Sequence, residues 1–211
     1  SDIQHAESPL IDPMPMWKRV MDIGCSTGAL IVLSPLLAAT AIAIKLTSPG
    51  PVIFRQQRSG LGGHPFTLYK FRTMCVDAEQ QKQQLQQFSE QDGPAFKMKN
   101  DPRITSIGNL LRKTSLDELP QFWNVFKGNM TMVGPRPLPC DETHASDQWH
   151  KKRLDVTPGL TCIWQVEGRS RVTFDEWVRM DVRYIRKRTF LHDLKLILKT
   201  IPAMLWKRNG Q

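Results

Sequence analysis

The fold is decided first by residues 23–44, IGCSTGALIVLSPLLAATAIAI, which contain no charged side chain. A helix of this length, at about 1.5 Å per residue, is roughly 30 Å long and matches the hydrocarbon thickness of a bilayer. Ser34 and Pro35 lie near its middle, where the missing proline amide and the clash of its ring break helical hydrogen bonding. The stretch therefore predicts a membrane-inserted helix over residues 17–46 that is broken at the Ser-Pro pair.

The charges that flank this stretch bear on its topology. Lys18 and Arg19 precede it, and further basic residues follow it before the first acid, Asp77. These following residues are Lys45, Arg55, Arg58, Lys70 and Arg72. Lys and Arg concentrate on the cytoplasmic side of membrane segments, so both ends are predicted to lie there. A re-entrant hairpin satisfies both ends, and a kinked single span is the alternative that the charges leave open.

One acid, Asp22, lies at the edge of the apolar stretch. A charge in mid-bilayer costs roughly 2.5 to 3.5 kcal/mol, but Lys18 and Arg19 lie one helical turn earlier and are expected to pair with Asp22 at the interface. We therefore predict that Lys18, Arg19, Asp22, Ser34 and Pro35 anchor the chain in the membrane.

Length and composition limit the remaining possibilities. The 211 residues fit one domain, predicted over residues 16–211 after a flexible lead-in over residues 1–15. The 29 basic and 20 acidic side chains give a charge of +9, which indicates an anionic partner. The cysteines and histidines show no redox or transition-metal spacing. Any metal is therefore expected to be a hard cation bound by carboxylates and phosphates.

Two weaker patterns complete the predicted architecture, which is α+β and mainly helical. Residues 52–56 and 66–71 read as strands on either side of a glycine-rich turn at 60–63, which predicts a small β-hairpin. A phosphate loop at these glycines is the less favoured alternative, because no helix signal follows them. From Leu191 to Leu205 apolar residues recur at helical spacing, which fits an interfacial helix or a helix packed on the core.

The candidate chemistry lies in residues 101–137, DPRITSIGNLLRKTSLDELPQFWNVFKGNMTMVGPRP. Residues 115–118, Ser-Leu-Asp-Glu, have the form of a capping box, which predicts a helix start beside both acids. Capping alone would explain the pattern, and that alternative stays open. A carboxylate can attack phosphorus when cations neutralise the incoming phosphates. We therefore predict that Asp117 and Glu118 are catalytic carboxylates and ligands of Mg²⁺.

Basic residues near the acids are suited to neutralise a diphosphate. Arg112 lies shortly before them, and Pro135-Arg136-Pro137 presents one guanidinium on a stiff backbone that favours bidentate phosphate binding. Lys70 and Arg72 alternate with an apolar residue, so on a strand their charges share one face. A solvated surface turn at the arginine and ordinary strand chemistry at 70–72 are the alternatives.

Taken together and in order, the motifs resemble the bacterial sugar transferase family, the monotopic phosphoglycosyl transferases that charge polyprenyl phosphate. The resemblance runs from about Trp17 to the C-terminal end. It rests on KRVMD, the Ser34-Pro35 break, SPGPVIFRQQRSG, YKFRTM, the block 101–137 and PGLTCIWQVEGRS. It implies a re-entrant membrane helix, a compact cytosolic catalytic domain with interfacial amphipathic helices, and a location on the cytoplasmic face of the bacterial inner membrane.

The resemblance also implies an enzyme that transfers a sugar 1-phosphate from a UDP-sugar to undecaprenyl phosphate and releases UMP, in exopolysaccharide, lipopolysaccharide or capsule synthesis. Asp117 is expected to form a covalent phosphosugar intermediate, which the polyprenyl phosphate then attacks. Glu118 is expected to help bind Mg²⁺ or to take the proton of the acceptor phosphate. The basic positions that match family motifs and are expected to bind phosphate or nucleotide are Lys70, Arg72, Arg112 and Arg136.

Two other functions compete with this one. A tethered basic protein that binds nucleic acid would need basic runs with exposed aromatics, and only residues 183–188 come close, so nucleic acid is not an expected partner. A membrane glycosyltransferase that moves only the sugar would release a nucleoside diphosphate. The identity of the sugar and the formation of a homodimer stay open.

Overall fold

The computed structural model describes residues 11–85, 98, 101–167 and 173–206. The helices are α1 (Met16–Val32), α2 (Ser34–Thr47), α3 (Ala78–Leu85), α4 (Ser106–Lys113), α5 (Gln121–Lys127), α6 (Cys140–His144), α7 (Ile163–Val166), α8 (Phe174–Lys187) and α9 (Phe190–Trp206). The strands are β1 (Ile53–Ser59), β2 (Pro65–Phe71), β3 (Thr131–Val133) and β4 (Gly159–Thr161). Short 3₁₀ segments cover Leu61–Gly63, Leu116–Glu118 and Gln148–Asp155. The predicted mainly helical class with a small hairpin is confirmed, while most of the predicted lead-in, residues 1–10, lies outside the described residues.

The break in the apolar stretch is where the sequence predicts it. The axes of α1 and α2 differ by 60°, and Leu33 separates the two helices. Pro35 lies in the first turn of α2, where its missing amide leaves no helical hydrogen bond unmade. The Ser34 hydroxyl donates to the carbonyl of Ile31 at 2.8 Å, which satisfies one of the carbonyls left free at the end of α1.

Helices α1 and α2 carry an unusual amount of exposed apolar surface. Val20, Ile31, Val32, Ile42 and Leu46 each expose 60% or more of their area. Among the helices that the structure describes, none is by itself long and apolar enough to cross a bilayer, whereas α1 and α2 together reach that length and composition. Exposed apolar side chains in this number are typical of a surface that contacts a membrane or another protein.

The first turn of α1 is attached to the rest of the domain through Lys18. This lysine is only 2% exposed, forms an ion pair with Asp193 of α9, and donates to the carbonyl of Val133 at 2.8 Å and to the Tyr184 hydroxyl at 3.1 Å. The prediction that Lys18 pairs with Asp22 was therefore wrong. Burial explains the difference, because an ammonium removed from water needs an anion and several acceptors close to it.

The other two charged residues of α1, Arg19 and Asp22, contact the segments on either side of the candidate site. Arg19 donates to two carbonyls at the C-terminal end of α5, at 2.8 and 2.7 Å, where a cation also complements the helix dipole. Asp22 is fully buried and accepts from the Thr131 hydroxyl at 3.0 Å and the Met132 amide at 2.9 Å. The broken helix is thus attached to both α5 and β3. The membrane-anchoring role assigned to these residues stays a prediction.

The predicted hairpin is present, and α5 is fixed on it. Strands β1 and β2 pair antiparallel from Ile53 opposite Phe71 to Ser59 opposite Pro65, with the turn at Leu61–Gly63. Asn124 of α5 donates its amide to a carbonyl of β2 at 2.7 Å and accepts from a β2 amide at 3.1 Å. Because one side chain satisfies two backbone groups of β2, the position of α5 along the hairpin is fixed.

A second pair of strands was not predicted. Strands β3 and β4 pair in parallel, with Thr131 opposite Gly159 and Val133 opposite Thr161. They lie in the main core together with side chains of the hairpin and of α5, α7, α8 and α9. The buried members of this core are Phe66, Leu68, Val125, Met130, Met132, Val133, Ile163, Tyr184 and Leu196. Each strand has only three residues, which is too short for an alternating pattern to show in the sequence.

Helix α9 has features of both alternatives that the sequence left open, a helix packed on the core and an interfacial helix. Asp193 and Leu196 are buried, at 0% and 1% exposure, whereas Leu191 and Leu198 expose 74% and 60%. One face of the helix therefore packs on the core, and another presents apolar side chains outwards.

Candidate active site

The two candidate carboxylates lie on a 3₁₀ turn between α4 and α5. Ser115, which precedes the turn, has a φ of 56° and makes no capping hydrogen bond with its side chain. The prediction of a side-chain cap at Ser115 was therefore wrong, and the helix that starts there is a single 3₁₀ turn, because α5 begins only at Gln121. The left-handed residue ends the path of α4 and turns the chain sharply, so that both acids face β2 and the segment after β3.

Glu118 is bound by two cations from different parts of the chain. Lys70 of β2 lies 3.3 Å from its Oε1, and Arg136 pairs with the same oxygen while its Nη1 lies 3.4 Å from Oε2. Burial alone would raise the pKa of Glu118, but Arg136 and Lys70 outweigh it and hold the pKa well below its usual range. Glu118 is therefore an anion throughout the physiological pH range, with both oxygens engaged.

Asp117 lacks the bound cations that Glu118 has, within the described part of the chain. Its side chain is buried at 8% exposure, and within the described part of the chain it forms no hydrogen bond and no ion pair. Burial, followed by repulsion from Glu118, raises the pKa of Asp117 to about 6, although Lys70, Arg112 and Arg136 act against the shift. A carboxylate that is shielded from water, without a bonded partner and still ionised at neutral pH is well suited to act as a nucleophile.

The cations of the site are themselves shifted by burial. The pKa of Lys70 falls to about 8 because the ammonium is buried, with Glu118 opposing the change. A further cation, Arg58 of β1, was not among the predicted site residues. Burial and then repulsion from Arg136 lower the pKa of Arg58 to about 10. The register of the hairpin would have predicted Arg58 as a site residue, because Arg58 lies on the same face of the strand pair as Lys70.

The remaining predicted phosphate-binding residues have different surroundings. Arg112 lies in the last turn of α4, and its charge acts on Asp117 without a direct ion pair in the described structure. Arg72 is not brought to the carboxylates. Its guanidinium instead donates to Ser48, at both the carbonyl and the hydroxyl, and to the carbonyl of Pro49. These contacts fix the exit from α2, so the phosphate-binding role of Arg72 stays a prediction without a contact that supports it.

The donor set partly fits the predicted Mg²⁺. Among the described residues, no group of three or more His, Cys, Asp and Glu side chains converges as a metal site would require. Asp117 offers free carboxylate oxygens, whereas those of Glu118 are engaged with Lys70 and Arg136. Mg²⁺ commonly takes one or two carboxylates and completes its shell with substrate phosphates and water. The arrangement therefore fits a cation that arrives with a diphosphate.

Comparison with known proteins matches most of the chain to one family and to several of its members. Residues 14–207 match the model of the family described as "Bacterial sugar transferase". "Galactosyl transferase CpsE" of Streptococcus agalactiae is 46% identical over 194 residues. "Undecaprenyl-phosphate galactose phosphotransferase" of Salmonella typhimurium is 41% identical over 201 residues. "UDP-glucose:undecaprenyl-phosphate glucose-1-phosphate transferase" of Escherichia coli is 39% identical over 203 residues.

These relatives are longer than the chain. The matches cover 89%, 92% and 92% of this chain but 42%, 41% and 41% of the three relatives. The chain therefore spans about two fifths of the length of each of these relatives. Asp117, Glu118, Lys70 and Arg136 all lie within residues 14–207, which match the family model.

Proposed function

The chain belongs to the bacterial sugar transferase family, and we propose that it transfers a sugar 1-phosphate from a UDP-sugar to undecaprenyl phosphate and releases UMP. The observation that carries this proposal is the contrast between the two acids. Glu118 is ion-paired with Lys70 and Arg136, while the neighbouring Asp117 is buried, has a raised pKa and forms no hydrogen bond or ion pair with the residues that the structure describes. The names of the relatives, which include a galactose and a glucose phosphotransferase, support a hexose as the sugar.

In the first step, a carboxylate oxygen of Asp117 attacks the phosphorus that carries the sugar. The bond from this phosphorus to the bridging oxygen breaks, and UMP leaves with the bond's electron pair on that oxygen. The product on the protein is an aspartyl phosphosugar. Attack by an anion on a diphosphate needs compensating positive charge, which Lys70, Arg112 and Arg136 supply around the acid.

The roles of the other groups follow from their ionisation. Because Arg136 and Lys70 hold the pKa of Glu118 far below neutrality, Glu118 is a poor base, and we assign it to orienting these two cations. Asp117, and Glu118 if a cation exchanges, would bind Mg²⁺, which when bound neutralises charge on the diphosphate.

In the second step, an oxygen of undecaprenyl phosphate attacks the same phosphorus. The bond between phosphorus and the Asp117 oxygen breaks, which regenerates the carboxylate and gives undecaprenyl diphosphate sugar. The acceptor lies in a lipid phase, and the exposed apolar faces of α1 and α2 are the surfaces suited to enter it. We therefore propose a monotopic protein of the bacterial inner membrane, with α1 and α2 re-entrant and the catalytic part on the cytoplasmic face.

The proposal is tested by product analysis in nanodiscs. The wild type, Asp117→Asn and the matched surface control Asp12→Asn are incubated with a panel of UDP-sugars, with and without undecaprenyl phosphate and Mg²⁺. Asp12 is a suitable control because its side chain is 49% exposed and its ion pair is with Arg188, which is not among the groups whose charge acts on Asp117. We expect UMP from the wild type and the control, and none from Asp117→Asn.

The nucleotide that is released separates this function from simple glycosyl transfer. A protein that moved only the sugar would release UDP, and this result would contradict the proposal. Full activity in Asp117→Asn would contradict the assignment of the nucleophile. The donor that supports the fastest release of UMP identifies the sugar.

A further inference from the structure

The backbone around Arg136 is fixed by a regular set of hydrogen bonds. The carbonyl of Pro135 accepts from the amide of Gly159 at 2.8 Å. The carbonyl of Arg136 accepts from the Arg153 guanidinium at 2.7 Å, and that of Pro137 accepts from Arg58 at 2.9 Å. Three consecutive carbonyls are thus satisfied by three donors from different parts of the chain. Two of the donors are buried or half-buried arginines, which form stronger hydrogen bonds than neutral groups.

Arg153 has no contact with the two acids, yet its position is closely defined. Its side chain is 4% exposed and forms an ion pair with Asp181 of α8, 2% exposed, at 2.7 Å. The guanidinium also lies 5.2 Å from the ring centroid of Trp177, within range of a cation–π contact. The guanidinium nitrogen that pairs with Asp181 is the one that donates to the Arg136 carbonyl. One buried cation therefore connects α8 to the backbone of a site residue.

We propose that Arg153, held by Asp181, is a positioning residue that fixes the backbone of Arg136 so that its guanidinium meets Glu118 and the donor diphosphate. This inference rests on the proposed function, in which Arg136 stabilises the charge that develops on the departing phosphate. Electrostatic stabilisation depends on donors that are already in place when the charge appears. A guanidinium whose backbone is free to move is held less accurately and loses part of this electrostatic stabilisation.

A role in stability alone accounts less well for these contacts. A buried ion pair can often be replaced by apolar residues of similar volume at little cost in stability, so an ion pair is not needed to fill this space. The hydrogen bond from Arg153 to the carbonyl of Arg136, in contrast, acts on the segment that carries Arg136. The two roles can therefore be separated by comparing stability with turnover.

The test uses three variants of the full chain in nanodiscs, measured for UMP release and for melting temperature. Arg153→Met with Asp181→Leu removes the ion pair and the donor while filling the same volume. Arg136→Met removes the group that is positioned, and the third variant combines all three changes. We expect the Arg153/Asp181 variant to melt close to the wild type but to show kcat lowered about tenfold, with a smaller change in KM.

The combined variant decides whether Arg153 acts through Arg136. We expect its kcat to equal that of Arg136→Met, because the positioning of a group that is absent has no further effect. A kcat that falls by the product of the separate effects would overturn the inference, as would wild-type kcat in the Arg153/Asp181 variant. If that variant does not fold, Arg153→Lys replaces it, since Lys keeps the charge beside Asp181 but lacks the planar fork.

A readout that is independent of turnover separates this inference from the proposed function. Hydrogen exchange of the peptide that covers residues 133–139 should speed up in Arg153→Lys and stay unchanged in Asp117→Asn. Wild-type protein that releases no UMP would contradict the proposed function, and the exchange result would still decide the positioning role. Unchanged exchange in Arg153→Lys would overturn it.

Discussion

The most informative single perturbation is Asp117→Asn, because it should abolish transfer and stabilise the fold at once. Burial and the neighbouring Glu118 raise the pKa of Asp117 from 3.8 to about 6. An acid whose pKa is higher in the folded state destabilises that state whenever it is ionised there. The penalty is absent well below pH 4, grows between pH 4 and 6, and is complete above about pH 7. Asparagine has nearly the same shape and no charge, so it removes the penalty.

The magnitude follows from the shift in pKa. A difference of about 2 units corresponds to about 3 kcal/mol at pH 8, and to about half of that at pH 5. For a chain of this size, each kcal/mol moves the melting temperature by about 2 to 4 °C. We therefore expect Asp117→Asn to melt about 6 to 12 °C above the wild type at pH 8 and to lose about half of this advantage at pH 5.

The assay is tryptophan fluorescence during heating, at both pH values, in one detergent or nanodisc preparation. Asp12→Asn serves as the matched control and should show no gain in melting temperature, because Asp12 is 49% exposed and its replacement loses an ion pair with Arg188. An unchanged or lower melting temperature for Asp117→Asn at pH 8 would refute the view that Asp117 is kept ionised at a cost to the fold. A gain that did not depend on pH would refute the electrostatic explanation.

The remaining predictions concern the charges around Asp117. Glu118→Gln leaves Lys70 and Arg136 without their anion, so it should lose activity and, unlike Asp117→Asn, lower stability by about 2 to 4 kcal/mol in chemical unfolding. The plot of the first-step rate against pH should be bell-shaped, rising near pH 6 and falling near pH 8, because Asp117 must be ionised and Lys70 protonated. A rate that does not change with pH would contradict this. Arg72→Met should lower the melting temperature but leave KM for the UDP-sugar unchanged, since its guanidinium binds the end of α2; a large rise in KM would restore its role as a phosphate ligand.

The sequence predicted the local features that depend on strong and regular signals. The apolar run with Ser34 and Pro35 predicted the break between α1 and α2, because proline cannot continue a helix. Glycines at 60–63 between two alternating runs predicted the hairpin. Arg136 was expected near the two acids from its chemistry, and Lys70 from the family resemblance. The structure brings both cations to Glu118, and their charges act on Asp117.

The features that the sequence did not predict depend on contacts between distant residues. The pattern at Ser115 has the composition of a capping box, yet Glu118 is drawn to cations from β2 and from the segment after β3, which a local pattern does not include. Lys18 was expected to pair within its own helix and instead pairs with Asp193, 175 residues away. The role of Arg58 likewise required the register of the hairpin.

The central claim is that Asp117 carries the phosphosugar during transfer. The most direct measurement is the intact mass of the protein after incubation with the UDP-hexose and Mg²⁺ in the absence of undecaprenyl phosphate, followed by peptide mapping. The account predicts a mass increase equal to one hexosyl phosphate on Asp117, with an equivalent amount of UMP, and its loss when undecaprenyl phosphate is added. Transfer to undecaprenyl phosphate without any adduct on Asp117, or an adduct that persists in Asp117→Asn, would contradict the account.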